Sequence, residues 1–275
     1  MIQSIETNSH QTYSSHSTSN LGMTPEQEKQ LNEDMEAIAE AASKPPGPEK
    51  DAAMAVAEQK YQMDDAIFTA SPPLTQDQQN TLQADYAQTV KDSQITDPEK
   101  LETQLQLDSA KFNMDLIICT HPALSKDQID TLEKDFAQLE IASQNPDRKE
   151  RYTQMEVAND RLKLDQTLFT NPNLTPSQIG QLEKDFAKLQ QDARTSSDPM
   201  QIAIDDALLQ KDTIESIYPL TPQEKSALDA AYQKAVDDMN TGDPKTRAPR
   251  VQIDLTKLDV LESKIIYNHT HQQSK

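Results

Sequence analysis

Apolar residues in this chain recur in steps of three and four, without the strict alternation of a half-buried strand. After Ser125, the residues Ile129, Leu132, Phe136 and Leu139 mark one narrow stripe. That spacing predicts an amphipathic helix of about 17–19 residues with one buried edge. The stripe is repeated. Leu132-Glu133-Lys134-Asp135-Phe136-Ala137 returns unchanged as Leu182-Glu183-Lys184-Asp185-Phe186-Ala187, and a looser frame around it occurs five times. A hydroxyl residue opens each copy: Thr24, Thr75, Ser125, Thr175 and Thr221. Leu follows seven positions later, as Leu31, Leu82, Leu132, Leu182 and Leu228. A large apolar residue follows after eleven, as Met35, Tyr86, Phe136, Phe186 and Tyr232. The openings lie 51, 50, 50 and 46 residues apart. A fixed period of that length is the mark of a repeat architecture.

Each opening has the chemistry of a helix N-terminus. A Ser or Thr cap accepts from the backbone N–H three residues on, and a Glu or Gln there reaches back to the cap's own N–H. All five copies have this box, with Gln27, Gln78, Gln128, Gln178 and Glu224 as the third residue. Pro25, Pro176 and Pro222 occupy the first helical position, where a missing N–H is harmless. Leu or Met precedes every cap, and Leu124 and Leu174 are placed to staple onto Ile129 and Ile179. A polar, Pro-containing break follows each first helix, and a second helix starts there. In the first three copies the second helix ends alike, through Met63-Asp64, Met114-Asp115 and Leu164-Asp165, and Pro72, Pro122 and Pro172 stop it. The expected fold class is therefore all-α, with five tandem helical-hairpin repeats of about 50 residues forming a solenoid-like array. The expected divisions are a leader at 1–23, repeats at 24–73, 74–123, 124–173, 174–219 and 220–267, and a tail at 268–275.

Composition then tests this picture. Leu, Ile, Val and Phe make up 52 of the 275 residues, and the net charge is −20. Those values sit just inside the range of chains that cannot form a globular core. A stacked array relieves the conflict, because every unit keeps a solvated face and buries its stripe against a neighbour. Four Gly argue against phosphate-binding loops, the acidic balance argues against nucleic acid as a partner, and no apolar run is long enough to span a membrane. The single Cys excludes an intramolecular disulfide and any multi-cysteine metal site, and no cofactor is expected. Charge is graded along the chain. Residues 24–73 hold 11 acidic and 4 basic side chains, while residues 220–275 hold 8 of each. Such a gradient can steer a basic protein partner, or can serve solubility alone.

The first twenty residues contain six Ser, three Thr, two Asn and no Lys or Arg, and are expected to be disordered. They have no basic stretch followed by an apolar one, so a Sec signal is not expected. Their composition resembles the uncleaved N-terminal leaders of bacterial type III secretion substrates. That resemblance implies export without a Sec signal, into a host cell, with the array acting as a secreted effector or virulence-associated protein. The alternative is a cytoplasmic structural or adaptor protein in which the same residues are a plain tail.

Candidate chemistry is sparse. Asp34, Asp85, Asp135 and Asp185 each precede the large apolar residue of a first helix, about 100° off its stripe. They are expected on a solvated face, where stacked units could align them as a carboxylate ladder for basic side chains. Asp64, Asp115 and Asp165 invite the same reading. Arg148, Lys149 and Arg151 form the one local basic run, a second candidate contact for a partner. Cys119 and His121 could in principle be nucleophile and base of an enzyme. Residues two apart on a helix diverge, however, and Cys119 occupies a core position of the repeat. His10, His16, His269 and His271 lack zinc-ligand spacing. The balance favours a non-catalytic protein-binding scaffold.

Overall fold

A computed structural model describes residues 23–196, 198–241 and 244–272. The expected leader, Met23 apart, lies outside the described residues. Among the described residues ten helices run in order: α1 (Pro25–Ser43), α2 (Pro48–Thr69), α3 (Gln76–Asp92), α4 (Pro98–Thr120), α5 (Lys126–Ser143), α6 (Arg148–Thr170), α7 (Pro176–Thr195), α8 (Pro199–Ile217), α9 (Pro222–Asn240) and α10 (Pro244–Gln272). They pair as five hairpins, α1α2 through α9α10, and no strand occurs among the described residues. All five capping boxes form, each with both of its hydrogen bonds. The second helices are capped differently. Asp97 and Asp198 cap α4 and α8 through their carboxylates, and the Asp147 carboxylate accepts from the Glu150 N–H at the start of α6. Gly47 precedes α2 at φ +143°, a conformation essentially reserved for Gly.

Two compact units result, one ending at residue 170 and one beginning at 171. In the first, hairpins stack through their second helices. Helix α2 packs on α3 and α4 as well as on α1, and α4 packs on α5 and α6 as well as on α3. Leu82 of α3 is fully buried in a core with Met63 and Ala66 of α2 and Phe112 and Cys119 of α4. Leu132 and Phe136 of α5 share the next core with Ala110 and Met114 of α4 and Met155 and Leu162 of α6. In the second unit, α8 packs on α7, α9 and α10. Leu228 of α9 is buried there with Ile204 and Ala207 of α8 and Val251, Leu255 and Leu258 of α10. The Leu at offset seven is thus buried in every hairpin, and in hairpins 2, 3 and 5 the residue at offset eleven meets the preceding hairpin.

This stacking leaves second helices with almost no outward surface. From residue 101 to 120 in α4, and from 52 to 69 in α2, no residue is exposed. The capping residues also reach across the hairpin. The Gln78 side-chain amide donates to the Cys119 carbonyl at 3.0 Å while its oxygen accepts from the Thr75 N–H at 2.8 Å. Gln178 does the same with Ser216 and Thr175. One side chain therefore satisfies an orphan donor of the first helix and an orphan carbonyl of the second. Glu224 has no amide to donate. Its carboxylate instead lies 3.4 Å from His269 Nε2, on α10, which runs past the expected repeat boundary at 267 to Gln272.

Two substitutions test these packing claims. Phe136→Ala removes a buried ring shared by two hairpins and should lower unfolding free energy by about 3–5 kcal/mol. Gly47→Ala meets no atom within 4 Å but is forced into a disfavoured torsion, and should cost about 1–3 kcal/mol. Urea denaturation followed by circular dichroism reads both, and a loss below about 0.5 kcal/mol at Phe136 sinks the shared-core assignment.

Candidate functional site

The acids singled out on the first helices are not on a solvated face. Asp34 is 5% exposed and Asp185 4%, while Asp85 and Asp135 are half-buried. The departure has a simple cause. Each acid lies on the sector of its first helix that faces the hairpin's own second helix, so the buried sector is wider than one stripe.

Each of these acids meets an acid of its own second helix. In hairpin 1, Lys60 lies between them, paired with Asp64 and 3.8 Å from Asp34. In hairpin 2, Lys111 pairs with Asp115 and stands 3.9 Å from Asp85. In hairpin 3 the cation is Arg161, which holds Asp165 through Nε at 2.9 Å and Nη2 at 2.6 Å. Hairpin 4 keeps Asp185 and Asp212 but has Leu208 at the cation's place. The Gln181 amide bridges the two carboxyls there, 3.0 Å from Asp185 and 3.3 Å from Asp212. Hairpin 5 has Ala231 in place of the first-helix acid. The cations had a legible signal: a basic residue four before each second-helix Asp, as Lys60, Lys111 and Arg161.

Two carboxyls this close, partly out of water, hold a proton more tightly than free ones. Burial, reinforced by Asp115, pushes Asp85 up to about 7. Burial and the bond to Asp165 push Asp135 up to about 7, and burial with the bond to Asp212 pushes Asp185 up to about 6. Burial also raises Asp34. The Oδ2 atoms of Asp34, Asp85 and Asp135 are buried without a hydrogen-bond partner among the described residues. A proton on the carboxyl, donated to the neighbouring Asp, completes each pair. In the second unit, burial and the charges of Asp259 and Asp206 push Glu262 up to about 8.

Of the basic run, Arg151 is drawn into the structure, while Arg148 and Lys149 stay exposed. Arg151 pairs with Glu99 of α4 and donates to the Asn145 carbonyl at 2.8 Å. Arg148 sits 3.7 Å from the same Glu99 and lies over the Tyr152 ring, whose hydroxyl binds Glu102. These contacts clasp α6 to α4, so two of the three cations join hairpins, and Lys149 keeps an exposed position. The second unit has an equivalent clasp in Arg247 and Asp198, between α10 and α8. Lys211 of α8 is buried with Asp212, Glu215 and Asp229 around it at 3.0, 2.6 and 2.9 Å. Burial works against its charge, but the three carboxylates outweigh that and raise its pKa.

Cys119 lies buried in the hairpin 2 core, its Sγ 3.9 Å from the Gln78 carbonyl. Burial, with Asp115 and Asp85, pushes the thiol up to about 11, so it carries negligible thiolate at neutral pH. His121 caps α4 at the surface, its Nδ1 3.2 Å from the Ile117 carbonyl. His10 and His16 fall outside the described residues, as do the contacts of His271. Among the described residues, no group of three His, Cys, Asp or Glu could hold a metal ion. No described helix is long and apolar enough to cross a membrane. The concave feature at the start of α9 is shallow and lined by Pro222, Gln223, Ser226, Ala227 and Ala230. Comparison with family models, curated proteins and solved structures finds no match for this chain.

The acid pairs set a pH dependence whose sign is unusual. A carboxyl whose folded pKa is raised binds more protons folded than unfolded, so stability falls as pH rises between the two values. The window runs from about 4, the ordinary carboxyl value, to about 7 for Asp85 and Asp135 and about 8 for Glu262. Melting temperature should therefore be higher at pH 5 than at pH 8. Asp85→Asn removes one member of the repulsion while keeping its shape. It should raise the melting temperature at pH 8 and change it little at pH 5; a wild-type melting temperature that climbs steadily from pH 5 to 8 contradicts the assignment.

Proposed function

We propose that this chain is a non-catalytic scaffold that binds a protein partner along its first helices, and that residues 1–23 direct its export as an effector without a Sec signal. The observation that carries the binding surface is the burial of the second helices. With α2 and α4 enclosed, the outward surface of the first two hairpins falls mainly to the first helix. Three exposed large apolar side chains stand on first helices, Met35 on α1, Val90 on α3 and Ile141 on α5, and Glu133 and Glu140 of α5 are exposed as well. That combination suits a partner with an apolar anchor inside a basic rim. The Asp pairs are spent inside the hairpins, so the acids available to steer a partner are the exposed ones. Outside the Asp34–Asp64 pair, residues 24–73 hold nine further acids that add to that field. The Ser- and Thr-rich composition of the first twenty residues supports the export reading.

Affinity capture with the intact chain, repeated with Val90→Ser/Ile141→Ser, tests the surface. The doubly substituted chain should lose its captured partner, and Glu133→Lys/Glu140→Lys should slow association several-fold at low salt but little at 1 M, where the Debye length is about 3 Å. Equal capture by the wild-type and doubly substituted chains removes the surface from consideration. A reporter fused to residues 1–23 that is retained in the cell favours the cytoplasmic adaptor instead.

A further inference from the structure

The buried edge of α10 is apolar through Val251, Leu255 and Leu258 and is then interrupted twice, by Glu262 and His269 on either side of Ile265. All six follow 3–4 spacing and so share one side of the helix. Glu262 is 5% exposed, and its Oε1 has no hydrogen-bond partner among the described residues. On α8, Asp206 has Oδ1 buried in the same condition, and its other oxygen accepts from the Gln210 amide at 2.6 Å. Asp259 lies one turn before Glu262. The charges that act on Glu262 are those of Asp259 and Asp206, which oppose its ionisation, and of Lys211 on α8, which favours it. Lys211 is already held by Asp212 and Glu215 of its own helix and by Asp229 of α9. Three carboxyls thus share the α8–α10 interface with no cation bonded to any of them among the described residues. Burial, with its two acidic neighbours, pushes Glu262 up to about 8, and burial with Asp206 pushes Asp259 up to about 6.

His269 joins the same edge to α9. Its Nε2 lies 3.4 Å from Glu224 Oε2, and its ring centre lies 5.7 Å from that of Tyr218, just past α8. Glu224 also accepts from the Thr221 N–H and hydroxyl, and those bonds, with His269, hold its carboxyl below the usual range. A charged imidazole therefore meets a carboxylate, and a neutral one loses that attraction. Hairpins 2 and 4 make the corresponding joint with Gln78 and Gln178, whose amides donate to carbonyls and do not titrate. Hairpin 5 has replaced a neutral joint with one that needs a proton.

We propose that the second half of α10 is a proton-operated latch, seated on α8 and α9 in mildly acid solution and loosened as Glu262 ionises and His269 becomes neutral. The two groups act with the same sign. A seated Glu262 holds its proton more tightly than an exposed one, so the seating weakens as pH rises from about 4.5 to about 8. A charged His269 adds to the seating at the acid end of that range. The event is local to hairpin 5, and it is independent of the partner surface on the first helices.

Hydrogen exchange of the full chain, followed by mass spectrometry from pH 5.5 to 7.5 and corrected for the intrinsic pH dependence of amide exchange, tests it. Protection across residues 259–269 should fall about tenfold or more over that range, and by a larger factor than that of α4, since one linked proton gives up to about tenfold per pH unit. Glu262→Gln keeps the shape and removes the titration. It should raise protection of 259–269 at pH 7.5 about tenfold and flatten the pH dependence. His269→Gln offers Glu224 an uncharged donor, and should lower protection several-fold at pH 5.5 but little at pH 7.5. Each of four results overturns the proposal: protection of 259–269 that is constant or rises with pH, an equal loss in α4 and α10, a Glu262→Gln chain with the wild-type pH dependence, or a His269→Gln chain indistinguishable from the wild type at pH 5.5. The second result assigns the pH effect to the stability of the whole chain. The comparison of α10 with α4 uses the wild type alone, so it decides the matter even where a variant fails to fold.

Discussion

Every hairpin in this protein depends on burying its second helix from more than one side. Two helices with thin apolar stripes expose too much surface to hold together as a pair. Placing α2 against α1, α3 and α4, and α4 against α3, α5 and α6, encloses each second helix and turns three thin stripes into one core. The low apolar content of the chain is compatible with a folded protein only on those terms, because the stacking buries the same helix twice over.

Enclosure has an electrostatic consequence. The second helices are not apolar all round; α4 alone carries Asp108, Lys111 and Asp115 within its buried length. A buried charge without a partner costs far more than it returns, so each must be matched. The matches are built at repeat spacing. Within hairpins, a first-helix Asp faces a second-helix Asp with Lys60, Lys111 or Arg161 beside them. Between hairpins, Arg151 meets Glu99 and Arg247 meets Asp198, residues about one repeat apart in sequence, as side-by-side stacking requires. Two carboxyls cannot both be neutralised by one cation, and a carboxyl proton supplies the remainder. Proton binding near neutral pH is therefore a by-product of fitting polar helices into a stack.

The same arrangement decides where recognition can happen. Among the described residues, many charges that look available along the chain are paired inside the fold, and exposed large apolar side chains are confined to Met35, Val90 and Ile141 on first helices and Ile253, Val260 and Tyr267 on α10. An acidic protein with few apolar side chains outside can remain dispersed and still present small anchors such as Ile141 among carboxylates.

The capping boxes, the Leu at offset seven and the Pro-marked breaks are local, and each acts through the backbone within a few residues or through a single periodic stripe. They determined ten helices, five hairpins and the buried Leu31, Leu82, Leu132, Leu182 and Leu228. The division after residue 170 has no such local marker, since the repeat frame runs through it unchanged. Asp34, Asp85, Asp135 and Asp185 were visible as a series, yet their surroundings were not, because the second helix of the same hairpin covers them with residues some thirty positions away. In the same way Arg151 read as part of a surface patch, whereas Glu99, a residue of the preceding hairpin, encloses it and leaves Arg148 exposed beside it. Burial and charge pairing are properties of neighbours in space. In a repeat protein those neighbours lie half a period to a full period off, so the local pattern fixes each helix while only the tertiary structure decides which of its polar faces remains in water.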